Sequence, residues 1–196
     1  SRAVGIASLC LNFFTDGNSE SNEECCYYLL KMVHIISYFE SMQSQFISSL
    51  VIPLLTKAAG ISTRCLTEAN LVFSNIVDDD FIAQQIYENR GYESAFADFN
   101  ESSYFLISTL INRTELELDE KQYQAVYKHF SGLRANQLNE NIALQLISIM
   151  ESFIVRNTKV PKLDIKKFII ILSLFPANTE IVEKTLHIIP RAKEFN

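Results

Sequence analysis

The sequence predicts an all-α fold built from repeated helices, and three observations support this prediction. Apolar residues recur at spacings of three and four, for example at Leu30, Val33 and Ile36, which is typical of a helix with one buried side. Only 5 glycines and 4 prolines occur in 196 residues, too few for a turn-rich β fold. No segment alternates polar and apolar residues with the period of a strand.

Helices are expected in eleven segments along the chain. They cover residues 3–14, 23–39, 44–55, 63–77, 81–89, 92–99, 104–112, 116 or 119 to 132, 139 or 141 to 154, 164–175 and 179–190. The polar residues 15–22 between the first two segments form a predicted loop.

Local signals fix several of the helix ends. Pro53 should end one helix or lie in the first turn of the next, because proline cannot occupy a helix interior without loss of a hydrogen bond. One aspartate of residues 78–80 should accept the free N–H groups of the helix that follows. Gly91 is expected to adopt the left-handed conformation that ends a helix. Residues 102–103 should open the next helix, and the last helix should end near Pro190.

Composition excludes several classes of protein. The longest apolar runs are far shorter than the roughly 20 residues of a membrane span. No signal peptide is present, and the absence of an initiator Met suggests a piece of a longer protein. Three of the 4 cysteines, Cys25, Cys26 and Cys65, lie in apolar helical patterns, and no C-x-x-C pair occurs. We therefore expect reduced core thiols and an intracellular protein, cytoplasmic or nuclear.

No catalytic motif is recognisable. The sequence contains no G-x-x-x-x-G-K-S/T, G-x-G-x-x-G, G-x-S-x-G or H-E-x-x-H, and five glycines are few for building phosphate-binding loops. His34, His129 and His187 are far apart in the sequence and have no Cys or His at metal-ligand spacing. We expect neither an enzyme, nor a cofactor, nor a metal site.

The ends of the long helices recur at similar intervals. They fall near Phe39, Ile76, Ile111 and Ile154, about 37, 35 and 43 residues apart. Helical repeats of roughly 34–47 residues stack into solenoids because one helix pair cannot bury its apolar side alone.

The segment from Leu71 to Ile76, L-V-F-S-N-I, resembles the third helix of an armadillo repeat, which often carries an apolar-Ser-Asn-apolar signature. Residues 79–89, Gly91 and residues 92–99 resemble the first helix, the break and the second helix of the next repeat. Residues 106–112 resemble its third helix. The resemblance covers roughly residues 45–113, whereas residues 115–133 form one long helix and later segments look like HEAT hairpins. It implies a right-handed α-solenoid of four to five repeats, with residues 1–196 forming a single domain.

The resemblance also implies a binding site. In armadillo proteins the third-helix asparagine holds the backbone of an extended peptide in a concave groove, because an amide both donates and accepts hydrogen bonds. Asn75 and Asn112 match that residue type, with Arg113 and Tyr104 nearby. Alternatively, these asparagines cap helix ends or bond a neighbouring loop. The chain has no Trp, which argues against a nuclear-localisation-signal receptor.

Charge is unevenly distributed. Residues 1–120 carry 17 acidic and 6 basic side chains, a net of −11, whereas residues 121–196 carry 6 acidic and 11 basic, a net of +5. The acidic group, Asp78, Asp79, Asp80 and Glu88, could receive a basic partner or simply favour a helix start. A basic group could bind phosphates or an acidic peptide, or it could simply be exposed to solvent. Its members are Arg156, Lys159, Lys162, Lys166 and Lys167.

We therefore predict a non-catalytic scaffold or adaptor that holds a peptide or helix of a protein partner on its concave surface. It would act alone or as a subunit of a larger complex. Two other functions stay open on analogy of fold. One is a small-GTPase regulator or chaperone of armadillo type. The other is a chromosome-associated subunit that binds nucleic acid through its basic C-terminal half.

Overall fold

The computed structural model describes residues 3–15, 20–48, 51–156 and 163–194, and within them it contains helices and no strand. The all-α prediction is confirmed for this part of the chain. The α-helices are α1 Ala3–Thr15, α2 Glu20–Ser37, α3 Glu40–Ser48, α4 Val51–Ala59, α5 Thr63–Ile76, α6 Asp80–Glu88, α7 Glu101–Arg113, α8 Glu120–Gly132, α9 Glu140–Arg156, α10 Ile165–Leu174 and α11 Thr179–Glu194. Two 3₁₀ helices, Gly91–Phe96 and Ala135–Gln137, complete the regular structure.

The chain divides into two compact units, Ser1–Glu115 and Leu116–Asn196. We call them unit 1 and unit 2 and describe each by itself. The sequence predicted one domain over residues 1–196, and that remains a prediction.

Unit 1 contains two consecutive groups of three elements. The triplet α3, α4 and α5 is followed by a second triplet, α6, the Gly91–Phe96 3₁₀ helix and α7. Elements at the same position in the two groups contact one another: α3 meets α6, α4 meets the 3₁₀ helix, and α5 meets α7. In front of the first triplet, α1 packs on α4 and α2 packs on α5. Each layer of unit 1 therefore covers the apolar side of the layer before it.

Unit 2 is made of two helical hairpins. Helices α8 and α9 form the first hairpin, α10 and α11 form the second, and α9 packs against α11. Phe130 of α8 and Phe168 of α10 are fully buried, and their ring centroids lie 5.5 Å apart. The first helices of the two hairpins thus contact each other, as do the second helices.

Most helix starts follow the local signals. Pro53 lies in the first turn of α4. Asp79 caps α6 by accepting a hydrogen bond from the N–H of Ile82 at 3.0 Å, and Asp119 forms a capping box at the start of α8. The predicted start of α7 at residues 102–103 is wrong. Asn100 caps this helix by accepting from the N–H of Ser103, because an asparagine side chain is at least as good a cap as serine.

The predicted end of the last helix is also wrong, since α11 continues through Pro190 to Glu194. A proline inside a helix removes one backbone hydrogen bond. Ile181 and Ile188 are fully buried on the inner side of α11, and this packing stabilises the helix beyond its backbone hydrogen bonds. The predicted loop at residues 15–22 falls largely on residues 16–19, which lie outside the described residues.

The left-handed conformation predicted for Gly91 is wrong, and a different cause explains why the residue is glycine. Arg90 is the described residue with positive φ, 59°, and no described glycine has one. Gly91 is buried, and a Cβ placed on it would lie 3.1 Å from Ile86 Cγ2 and 3.2 Å from both Phe73 Cζ and Thr56 Oγ1. Glycine is therefore required here by close packing, not by backbone conformation.

Gly91→Ala is expected to lower the free energy of unfolding by about 1–3 kcal/mol, because three neighbours must move to admit the methyl group. Gly132→Ala is the matched control: a Cβ on Gly132 would meet nothing within 4 Å, and alanine in a helix should raise stability by up to about 1 kcal/mol. Urea unfolding followed by circular dichroism measures both changes. Equal effects of the two substitutions would contradict the packing explanation.

Candidate protein-binding surface

Helices α2, α5 and α7 pack in succession, α2 on α5 and α5 on α7. We call these three helices the central ladder. Three side-chain contacts join α2 to α5 in the same order along both helices, so these two helices run parallel. The contacts are Tyr27 with Arg64, His34 with Glu68, and Ser37 with Asn75.

Asn75 makes one of these contacts. Its side-chain nitrogen donates to Ser37 Oγ at 2.8 Å, and Ser37 Oγ in turn donates to the carbonyl oxygen of His34 at 2.7 Å. Ser37 is only 2% exposed. Asn75 thus bonds a neighbouring helix, which is similar to the alternative that it bonds a neighbouring loop, and one of the two N–H donors of its amide is used inside unit 1.

His34 lies at the centre of a polar line across α2 and α5. Its Nδ1 is 3.0 Å from Glu68 Oε2, and its Nε2 is 3.1 Å from the Tyr38 hydroxyl. The side chains of His34 and Glu68 are 15% and 12% exposed, whereas Tyr38 is 66% exposed. The line therefore leads from a sheltered carboxylate to an aromatic ring at the surface.

Near the start of the same seam, the Arg64 guanidinium lies over the Tyr27 ring, with 4.0 Å between the guanidinium carbon and the ring centroid. The Lys31 ammonium lies 5.2 Å from the same centroid. Cation–π contacts of this kind orient a cation without neutralising its charge. Arg64 and Lys31 are both exposed, so this end of the ladder presents an aromatic ring between two cations.

Asn112 and Arg113 are both exposed in the last turn of α7. Arg113 Nη1 donates to Asp80 Oδ1 at 2.5 Å, and Nη2 is 3.7 Å from Asp78 Oδ1. Two members of the predicted acidic group are thus paired within the chain, and a third, Asp79, caps α6. The helix-start interpretation agrees with the structure for Asp79 and for Asp80, the first residue of α6.

Tyr104 cannot contact a partner where it lies. It is 1% exposed and stacks on Phe99 with 5.7 Å between ring centroids. Burial raises the pKa of its hydroxyl, which is the effect of an apolar environment on a phenol. The sequence pattern placed Tyr104 beside Asn112, but the position of its side chain in the core depends on packing between α7 and its neighbours.

The sides of the ladder that no neighbouring helix covers carry a mixed set of side chains. Arg64 and Leu71 are seven residues apart on α5, and Phe105 and Asn112 are seven apart on α7, so each pair lies on one side of its helix. Arg64 and Asn112 are exposed, and Leu71 and Phe105 are half-buried. A cation, an amide and apolar groups on neighbouring helices suit a peptide with both polar and apolar side chains.

The predicted basic group can be placed only in part. Lys159 and Lys162 lie outside the described residues, as does the side chain of Arg156, the last residue of α9. Lys167 donates to the carbonyl oxygen of Leu133, so its ammonium group is engaged within unit 2. Among the described members, Lys166 is exposed and Lys167 is half-buried.

Unit 2 contains a charged cluster that the sequence did not reveal. Glu151 Oε1 is 2.9 Å from His187 Nδ1, and Glu151 Oε2 is 3.1 Å from Lys184 Nζ. Burial of Glu151 acts to raise its pKa, but hydrogen bonds from His187 and Lys184 outweigh burial and hold the pKa below its ordinary value. The cluster joins α9 to α11.

Because folding lowers the pKa of Glu151, the stability from this cluster should be present above about pH 5 and be lost as pH falls below the ordinary value of 4.5. Glu151→Gln is expected to cost about 1 kcal/mol at pH 7 and progressively less toward pH 3.5. Urea unfolding of wild type and variant across this range measures the difference. A difference that stays constant with pH would contradict the assignment.

Many hydrogen bonds between successive layers span 33–38 residues, although others in unit 1 span 24, 31, 41 and 42 residues. In unit 1, the hydrogen-bonded pairs His34–Glu68, Ser37–Asn75 and Asp80–Arg113 span 34, 38 and 33 residues. In unit 2, Tyr127–Asp164, Leu133–Lys167, Glu140–Asn178 and Glu151–Lys184 span 37, 34, 38 and 33 residues. The interval agrees with the 35 and 37 residues predicted from the first helix ends.

Sequence reasoning missed Arg64 as a surface residue, and it missed the contact of His34 with Glu68. Each of these residues lies in an apolar helical pattern where a single polar residue carries no signal of its own. The repeat interval was the one available signal, because residues about 35 apart become neighbours when layers stack.

Two searches of the described residues give negative results. No group of three or more His, Cys, Asp or Glu side chains is arranged to hold a metal ion. No helix in the described ranges combines the length and apolar character needed to span a bilayer.

No family model matches the chain, and neither curated proteins nor solved structures provide a significant match.

Proposed function

We propose that this chain is a non-catalytic scaffold that binds a peptide or helix of a protein partner along the uncovered sides of α2, α5 and α7. In this proposal the chain is an α-solenoid, armadillo-like in unit 1 and HEAT-like in unit 2, and the ladder is its binding surface.

The observation that carries the proposal is that many of the hydrogen bonds joining successive layers span 33–38 residues. Stacking of similar repeats produces such a recurrence, because each residue meets its counterpart one repeat later. The order of elements in the two groups of unit 1 gives independent support. A first helix, a short second helix and a long third helix are the order that the armadillo resemblance implies.

The chemistry of the ladder supports protein binding. Tyr38 and Arg64 belong to the residue types that contribute most to interface energy, and both are exposed. A hydrogen bond to His34 orients Tyr38, and a cation–π contact with Tyr27 orients Arg64. Less side-chain entropy is therefore lost when a partner binds. Asn112 adds an exposed amide on α7, where it could pair with the backbone of an extended peptide.

The test is recovery of partners from a cell extract with immobilised protein, quantified by mass spectrometry. The double variants Tyr38→Ala/Arg64→Ala and Phe105→Ala/Asn112→Ala alter the ladder. Lys57→Ala, an exposed cation on α4, is the control. We expect each double variant to reduce recovery of specific partners at least about 10-fold, since loss of a binding hot spot costs 2 kcal/mol or more.

Equal recovery of the same partners by wild type, both double variants and the control would show that the ladder is not the binding surface. Thermal unfolding of each variant distinguishes lost binding from lost structure. Asn75→Ala is unsuitable for this purpose, because removal of its internal hydrogen bond to Ser37 would alter the fold as well.

A further inference from the structure

The outer side of α1 and α2 exposes large apolar side chains. Helix α1 packs on α4, and α2 packs on α5, so the sides of α1 and α2 opposite these contacts both point away from unit 1. We call this surface the outer layer. Its exposed apolar residues are Ile6 at 59%, Leu9 at 74%, Tyr28 at 55%, Met32 at 56%, Ile35 at 61% and Phe39, just after α2, at 57%.

The spacing of these residues on α2 indicates that another helix would cover them. Tyr28, Met32, Ile35 and Phe39 follow one another at intervals of four, three and four residues. This is the spacing of a seam between two helices that lie along each other. The other side of α2, with Leu30 and Val33 fully buried, already has such a helical neighbour in α5.

The outer layer does not have the composition of a surface that stays in contact with water. Such surfaces rarely carry a large contiguous apolar patch, because such a patch promotes association. Glu24 and Lys31 are the exposed charged residues of α2 among those whose burial is described. They have opposite signs, so they give this edge of α2 no net charge that would repel a second copy.

The exposed area is sufficient for a pair of identical chains. Six side chains that are each more than half exposed offer roughly 100 Å² apiece, or about 600 Å² per copy and about 1,200 Å² for a symmetric pair, which reaches the lower range of specific interfaces. A two-fold axis would place the same apolar surface on itself, the commonest arrangement in homo-oligomers.

We propose that two copies of this chain associate through their outer layers, with α1 and α2 of one copy against α1 and α2 of the other. Pairing would cover the exposed side of α2 that carries Tyr28, Met32 and Ile35, and it would leave the uncovered sides of α5 and α7 free for a partner.

Sedimentation equilibrium of the full 196-residue chain between about 1 and 200 μM tests the proposal. We expect the wild-type mass to rise from 22.4 kDa toward twice that value. Ile35→Glu and, separately, Met32→Glu should weaken association at least about 30-fold, because each places an unpaired charge in the interface. Both side chains are exposed, so the fold of the monomer should be retained, and circular dichroism checks this.

Phe81→Glu is the matched control, because Phe81 is 54% exposed and lies on α6, away from the outer layer. It should associate like the wild type. The proposal is overturned if the wild type stays at 22.4 kDa at the highest concentration, which would leave the outer layer to a different molecule. It is also overturned if Ile35→Glu and Met32→Glu associate as strongly as the wild type, or if Phe81→Glu weakens association equally.

Discussion

Phe73→Ala is expected to lower the free energy of unfolding by about 3–5 kcal/mol, the usual loss when a buried phenylalanine is truncated. Phe73 is fully buried on α5, and its ring tip lies within 3.2 Å of the position that a Cβ on Gly91 would take. Ile86 of α6 and Thr56 of α4 border the same position. The ring thus fills a point where both triplets of unit 1 meet.

Chemical unfolding monitored by circular dichroism measures this loss. Phe81→Ala is the control, since Phe81 is 54% exposed and its truncation should change stability by no more than about 0.5 kcal/mol. A loss below about 1 kcal/mol for Phe73→Ala would mean that the layers adjust easily around the cavity. The close approach of Gly91 to its neighbours would then not be a packing constraint.

The fold could be predicted from the sequence where the cause is local. The apolar spacing of Leu30 and Val33 and the caps at Asp79 and Asp119 involve residues within a few positions of one another. Gly91 was misassigned because its constraint comes from Phe73 and Thr56, which are distant in sequence. The left-handed conformation belongs instead to Arg90, where no local signal favours it.

The candidate surface was harder to predict than the fold. The pattern around Asn75 predicted a helix, and α5 confirms it, but the hydrogen-bond partner of Asn75 is Ser37 on the preceding long helix. Tyr104 is polar at one atom only, and its ring is buried and stacks on Phe99. Which side of a helix stays uncovered depends on its neighbours, and a single sequence gives no direct account of them.

Removal of the hydroxyl should change the free energy of unfolding in opposite directions at two tyrosines of α8. Tyr123 is fully buried, its ring stacks on Phe153 with 3.8 Å between centroids, and its hydroxyl has no hydrogen-bond partner among the described residues. Burial raises the pKa of this hydroxyl. Four residues later, the Tyr127 hydroxyl accepts a hydrogen bond from the N–H of Asp164 at 2.5 Å.

Tyr123→Phe is therefore expected to raise the free energy of unfolding by about 1 kcal/mol, because an unsatisfied buried hydroxyl is removed while the stacked ring stays. Tyr123→Ala should lower it by about 3–5 kcal/mol through loss of the ring. Tyr127→Phe should lower it by about 1 kcal/mol, since it removes the bond between α8 and the start of α10. Urea unfolding compares all three. Destabilisation by Tyr123→Phe would reveal a partner for its hydroxyl, so the sign of this one change decides whether the Tyr123 hydroxyl is unpaired in the core of unit 2.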